Sequence, residues 1–277
     1  MSTNRELYFQ YKKEGIPDTV IYFALEEING FNHLELTNNF DKGIKDENRF
    51  VSAMNRYQDG EMIEYIFNKA YFLSKPFYVD KNVLIPRQET EQLVLNTARL
   101  IKDTFHKDNL KIVDICTGSG CIGISLAHIF NNSEVVLSDI SNEALEVSNR
   151  NIKAHALTNV ITKQGDMLTP LIEDASRFDV IIRNPPYIEN ESTIDEKTWK
   201  QEPHLALLAK PGTLFYERVL LDYLKIVKDQ FIIAFEIGED QEEALTKLVN
   251  KYCKGCSFYF EKDIYNKTRF LYIKGIR

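Results

Sequence analysis

The sequence predicts an α/β protein. A mostly parallel sheet of about seven strands, with an antiparallel hairpin at its C-terminal edge, follows a small helical N-terminal domain. Three observations carry this expectation. From Gln88 onward, apolar strand-like runs alternate with helical segments, the pattern of a parallel sheet covered on both faces. The last two runs, "CSFYFEKDI" and "TRFLYIKGI", lie too close together for a helical crossover, so they pair antiparallel. Before residue 70 the apolar residues recur at helical spacing instead.

The elements follow in order. In "DTVIYFALEEINGF", Ile21, Ala24, Leu25 and Ile28 share one helix face, with Asp18 after Pro17 as the expected N-cap. "DENRFVSAMNRYQDG" repeats the pattern through Phe50, Met54 and Tyr57. Such stripes are the core of a small bundle. The period then changes: "AYFLSKPFYVDKNVLI" holds two short aromatic-rich runs around Ser74-Lys75-Pro76, a β-hairpin joining two domains. A helix at "QETEQLVLNTARLIKDTF" precedes strands at "KIVDIC", "EVVLSDI", "NVITKQG", "FDVIIRN" and "FIIAFEIG". The expected organisation is a helical bundle over 1–69, a hairpin linker over 70–86 and an α/β domain over 87–277, within what 277 residues allow.

Composition narrows the function classes. Hydrophobic content of 44% with 27% charged residues belongs to a soluble globular chain, and no apolar run reaches the ~18 residues of a membrane span. The polar start, "MSTNRELYFQYKKEG", lacks the basic-then-apolar layout of a signal peptide, so a cytoplasmic protein is expected. Net charge is −7, and residues 1–75 (9 basic, 12 acidic) share the deficit with the remainder (25 and 29). Neither part is a basic module, which argues against a duplex nucleic-acid substrate. Of the four cysteines, Cys253 and Cys256 form a lone "CKGC" with no histidine-rich partner segment; reduced structural thiols are expected, and no metal site.

Two stretches carry chemistry. The first is "DICTGSGCIGISLA", where Gly118, Gly120 and Gly123 satisfy GxGxxG and Asp139 follows at the end of the next strand. Glycines let backbone approach a ligand, and a carboxylate there can accept from both ribose hydroxyls. NAD and S-adenosylmethionine both fit. Two features favour the second: Asp114-x-x-Thr117-Gly118-Ser119-Gly120, and "QGDML" after the third strand. There Asp166 can accept from an adenine amino group and Met167 can pack on the ring.

The second stretch is "DVIIRNPPYIEN". Its strand delivers Asn184 to the carboxyl edge of the sheet, where ligands of open α/β folds bind. Proline at 186 removes a backbone donor and stiffens the turn, so the Pro185 carbonyl can face a substrate. The Asn184 side chain and that carbonyl could grip an NH2 group by both hydrogens, with Tyr187 covering its plane. The matching ligand is a planar nitrogen nucleophile, either a carboxamide or the amino group of adenine.

With these motifs the chain resembles the HemK-type, peptide-chain-release-factor glutamine methyltransferases. The resemblance spans nearly the whole chain: the helical N-terminal domain, "FYVDKNVLIPRQETEQLV", the glycine loop, "NPPYIE", "EPHLAL" from Glu202 and "FEIGEDQ" from Phe235. "LIPRxETE", Leu84 to Glu91, separates this family from adenine methyltransferases that share Asn-Pro-Pro-Tyr. The resemblance implies a Rossmann-like domain that transfers methyl from S-adenosylmethionine to the glutamine of a release factor's Gly-Gly-Gln motif. It implies cofactor contacts from Thr117, Gly118, Ser119, Gly120, Asp139, Met167 and Asn184, to which Cys116 and Asp166 are added. It also implies that Asn184, Pro185, Pro186 and Tyr187 hold the glutamine, with Asn184, Pro185 and Tyr187 serving the reaction. Class I release factors are the implied partners, and a monomer the expected state. Three departures stand out: Cys116 where the family usually has glycine, Arg183 for a small residue, and "LLAKPGTL" without a glycine pair. Glu236 reads as a satisfied structural carboxylate. Arg87 and Glu89 read equally as helix-start caps or as site residues. The rivals are a nucleic-acid adenine methyltransferase, which would need a basic groove, and a binding module with a vestigial fold.

Overall fold

The computed structural model describes residues 2–277, which form two compact units, one ending at Lys69 and the other spanning 70–277. In the first unit five helices, α1 (Asn4–Lys13), α2 (Asp18–Asn29), α3 (His33–Asn38), α4 (Glu47–Gln58) and α5 (Ile63–Phe67), enclose one core. Ile21, Ala24, Leu25 and Ile28 of α2 meet Phe50 and Met54 of α4 there, while Tyr57 packs at the rim. The start of α2 differs from the sequence reading. Pro17, extended, is its N-cap, and Asp18 is the first helical residue, pairing with Lys12. Proline's fixed φ suits the approach to a helix, and Asp18 still places its charge at the positive end of the helix dipole. Gly30 closes α2 in the left-handed conformation, φ 71°.

The second unit begins with the hairpin β1 (Ala70–Phe72) and β2 (Lys75–Phe77). Leu73 and Ser74 both turn with positive φ, the twist a two-residue hairpin needs, and the Leu73 amide donates to Glu91 at 2.7 Å. The hairpin thus groups with the α/β unit that follows it.

Seven strands make the main sheet: β3 (Lys111–Ile115), β4 (Glu134–Asp139), β5 (Val160–Gln164), β6 (Phe178–Arg183), β7 (Val227–Glu236), β8 (Ser257–Lys262) and β9 (Thr268–Ile276). Their order is β5-β4-β3-β6-β7-β9-β8; the first five run parallel, and β9 is antiparallel to both β7 and β8. Successive residues serve opposite faces. Ile112, Val180, Ile182 and Ile232 pack beneath α6 (Gln88–Thr104), α7 (Cys121–Ile129) and α8 (Asn142–Ala154). Val113, Ile115, Ile181 and Ile233 pack against α9 (Thr169–Glu173), α11 (Leu214–Asp222) and α12 (Glu242–Tyr252), with the short α10 (Glu196–Gln201) lying between α9 and α11 in sequence. Both faces are covered, which is why β6 is buried along its whole length.

From β3 the chain moves outward to β4 and β5, then returns to lay β6 on the other side of β3. That reversal opens a crevice at the carboxyl ends of β3 and β6. The glycine loop leaves one strand there and Asn184 leaves the other.

Candidate active site

The glycine loop is held from below by Asp114. Its Oδ2 accepts from the Thr117 hydroxyl at 2.6 Å and from the Gly123 amide at 3.0 Å, while its Oδ1 is buried without a partner. Burial pushes this carboxyl up to about 7, against those hydrogen bonds. Gly123 lets helix α7 close on β4, since a Cβ there would stand 2.1 Å from Leu137. At the mouth, Asp139 accepts from the Gly118 amide (2.9 Å) and the Ser141 amide (3.0 Å). Burial raises its carboxyl as well, with the backbone amides opposing.

Cys116 and Arg183, two of the departures from the family pattern, touch each other. Cys116 adopts φ 60°, a left-handed backbone that glycine takes freely and a side chain resists. Its sulfur lies 3.2 Å from Arg183 Nη2. Arg183 is fully buried; Nη1 reaches Met167 Sδ (3.3 Å) and the Phe215 carbonyl (3.2 Å), while Nε has no partner. Burial lowers its pKa. Arg183 thus ties the start of the loop to Met167, a residue itself held at φ 55°.

Over these groups lies a cavity of about 340 Å³. Cys116, Thr117, Gly118, Ser119, Asp139, Asp166, Met167 and Asn184 line it; Gly120 does not, and a Cβ added there would run into Ile124, Leu137 and Ser148. Asp166 meets Arg218 at 2.7 Å, so one of its oxygens is engaged within the protein. Ser138 also lines the cavity, and its hydroxyl is buried without a protein partner.

A second cavity, about 250 Å³, adjoins Asn184, Pro185 and Tyr187, and Asn184 lines both. Pro186 faces the first cavity rather than the second. Asn184 Nδ2 donates to Thr90 Oγ1 (3.1 Å), and that hydroxyl donates to Glu236 Oε2 (2.6 Å). Burial pushes the Glu236 carboxyl up to about 7, against Thr90, Arg269 and the Asn184 amide. The Tyr187 hydroxyl is pushed up by burial and by Glu236.

From sequence alone Glu236 reads as a structural carboxylate, and nothing marks Thr90 for a role. The structure puts Glu236 in the wall of the second cavity, with Thr90 bridging it to Asn184. A charged residue ending an otherwise apolar strand was the available signal. Arg87, at the start of α6, makes no side-chain cap; it pairs with buried Glu202 and lines both cavities. Glu202 also accepts from the Ile85 amide at 2.9 Å, joining "LIPRQETE" to "EPHLAL".

The methyltransferase small domain family matches residues 92–216. A release factor glutamine methyltransferase of Mycoplasma mycoides is 34% identical over 261 residues, 92% of each chain. A ribosomal protein uL3 glutamine methyltransferase of Francisella tularensis is 31% identical over 247 residues, 86% of this chain and 77% of the other. Among solved structures, a methyltransferase from Pyrococcus furiosus aligns with a TM-score of 0.53 at 18% identity, over 81% of this chain and 99% of that one, a likeness of fold. At that level of identity over nearly its whole length, the chain belongs to the release factor glutamine methyltransferase family.

Proposed function

We propose that the protein methylates the side-chain amide nitrogen of the glutamine in the Gly-Gly-Gln motif of a class I peptide chain release factor, in the cytoplasm, with S-adenosylmethionine as the methyl donor. The observation that carries this reading is the position of Asn184, which lines both cavities. The first cavity suits the cofactor: Asp139 would take the ribose hydroxyls, Asp166 and Met167 the adenine, and Thr117 to Ser119 with Asn184 the methionine end. When bound, this cofactor supplies an electrophilic methyl group on a sulfonium.

What this chain supplies is orientation. An amide nitrogen is a poor nucleophile because its lone pair is delocalised into the carbonyl. The Asn184 Oδ1 and the Pro185 carbonyl would accept its two N–H bonds, drawing density onto nitrogen and aiming it toward the first cavity. Tyr187 would flank the amide plane and help exclude water. The N-terminal helical unit is assigned to recognition of the protein substrate, and the working form is a monomer.

The test is direct. Purified protein is incubated with methyl-labelled S-adenosylmethionine and one of three acceptors: a folded release factor, a ribosomal protein uL3, or an adenine-containing oligonucleotide. Label on the Gly-Gly-Gln glutamine, located by peptide mass, is the expected result. Preferred labelling of uL3 would transfer the reading to the ribosome, and labelling of the oligonucleotide would overturn it.

A further inference from the structure

Asn184 can hold a substrate amide only if it turns its oxygen outward, and a carboxamide left alone in a turn rotates freely between two orientations. The interior of the protein removes that freedom. An ionised carboxylate accepts hydrogen bonds and donates none. The Thr90 hydroxyl, 2.6 Å from Glu236 Oε2, therefore spends its single hydrogen on Glu236. Its oxygen is left as an acceptor, and the group facing it at 3.1 Å is Asn184 Nδ2. With the nitrogen committed inward, the oxygen is what Asn184 presents to the cavities.

We propose that Thr90 and Glu236 act as positioning residues, a two-step hydrogen-bond relay whose ionised end sets which face of the Asn184 carboxamide meets the substrate. The proposal rests on the reading of Asn184 given above and adds a direction to it. Protonating Glu236 reverses the relay. The carboxylic acid then donates to Thr90, Thr90 donates to Asn184, and Asn184 satisfies it by turning its oxygen inward. Its NH2 would then meet the substrate NH2, donor against donor, and the grip is lost.

The surroundings make this reversal accessible near neutral pH. Glu236 is buried at the end of β7, and its carboxyl is pushed up to about 7. The groups bearing on it are Thr90 and Glu89 from α6, Asn184 and Tyr187 from the turn after β6, Cys121 from α7, and Arg269 from β9. Tyr216 of α11 donates to the Glu236 backbone carbonyl at 2.9 Å, which fixes the strand end, and its hydroxyl also bears electrostatically on the carboxyl. Burial favours the neutral form and Glu89 adds to it, while Thr90 and Arg269 favour the charged one. Asp114, also pushed up to about 7, titrates under the cofactor loop instead, so its effect belongs to cofactor affinity.

Two readouts test the relay. The first needs no substrate: solvent exchange of the Asn184 side-chain NH2, followed by NMR and assigned by loss of the signal in Asn184→Ala. Protection relative to the intrinsic exchange rate should be high above neutral pH and drop below it, and should be absent at all pH in Thr90→Val. Unchanged slow exchange in Thr90→Val would refute the relay whatever the protein methylates. The second uses release factor at saturating S-adenosylmethionine. Wild-type turnover should rise through about pH 7 while Glu236→Gln stays flat across the same range. Thr90→Val should lose ~10–10²-fold in kcat with cofactor affinity kept, and Thr90→Ser should recover most of it. A pH step that persists in Glu236→Gln, or full turnover by Thr90→Val, would overturn the proposal. Absence of methyl transfer by the wild type, with slow exchange intact, would fault the substrate reading and leave the relay standing.

Discussion

At the amino end of β6, Asp179 is buried among nitrogen donors: Lys107 Nζ at 2.6 Å, Lys228 Nζ at 2.7 Å and the Lys111 amide at 2.7 Å. At the carboxyl end of the same sheet, Asp114 and Glu236 are enclosed more deeply still, and their hydrogen bonds come from Thr117, Gly123 and Thr90, all neutral. Burial raises all three carboxyls. At Asp179 the two lysines and the amide outweigh it and hold the group below the usual carboxylate range. At the other end nothing comparable does, and both groups are pushed up to about 7. One end of the sheet neutralises its charge and is a structural clasp. The other keeps carboxyls poised where a ligand crevice opens, the arrangement expected of a functional site.

The sharpest way to break this contrast is at Asn184. Asn184→Ala would remove one of the two acceptors proposed for the substrate amide, and turnover with release factor should fall ~10²–10³-fold, by analogy with loss of one preorganised transition-state hydrogen bond. Thermal unfolding should change little, because the residue follows β6 and contributes nothing to its ladder. Full turnover would make the carboxyl end as structural as the amino end.

Asp139→Ala should weaken S-adenosylmethionine by ~1.5–3 kcal/mol, the range for hydrogen bonds to a charged group. Calorimetry reads it, and an unchanged affinity would remove Asp139 from the cofactor site. At the opposite end, Asp179→Ala should lower stability in urea by ~1–3 kcal/mol, because it strips the Lys111 amide of its acceptor. Turnover per folded molecule should stay at the wild-type value; a loss there would show that the two ends are coupled.

The smallest effect is a difference of sign with pH. Asp179 is depressed in the folded protein, so its stabilisation is present above its unfolded pKa and disappears as pH falls through the folded one. Asp114 and Glu236 are raised. Their contribution is complete below the unfolded values, roughly pH 4, and is lost as pH climbs to about 7. Stability should therefore decline between those limits, and Glu236→Gln should make the decline shallower. An equal slope in the variant would place the Glu236 pKa near its ordinary value and weaken the poised-carboxyl picture.

Much of this molecule was legible before its structure. Uninterrupted apolar runs such as Val180 to Ile182 announce a strand covered on both faces, and the close spacing of the last two runs requires them to be antiparallel. The loop from Thr117 to Ser119, Asp139 and the turn from Asn184 to Tyr187 are local signals, each readable from a few neighbouring residues. Their chemistry depends on backbone conformation and on strand ends, which nearby sequence governs. The start of α2 was misplaced by one residue because proline and aspartate both favour that boundary.

What the sequence by itself determined, then, is the layered fold and the groups it delivers to the carboxyl edge. What only the tertiary structure decided is how those groups constrain one another. Asn184 meets Thr90 across 94 residues, Thr90 meets Glu236 across 146, Arg87 meets Glu202 across 115, and Arg183 meets Cys116 across 67. No periodicity or spacing encodes such pairs. They arise where the strand order reverses and the ends of β3, β6 and β7 come together with the start of α6. Burial there is set by the whole sheet and its covering helices, and it is burial that turns Glu236 from an ordinary strand-end acid into a group poised near neutrality.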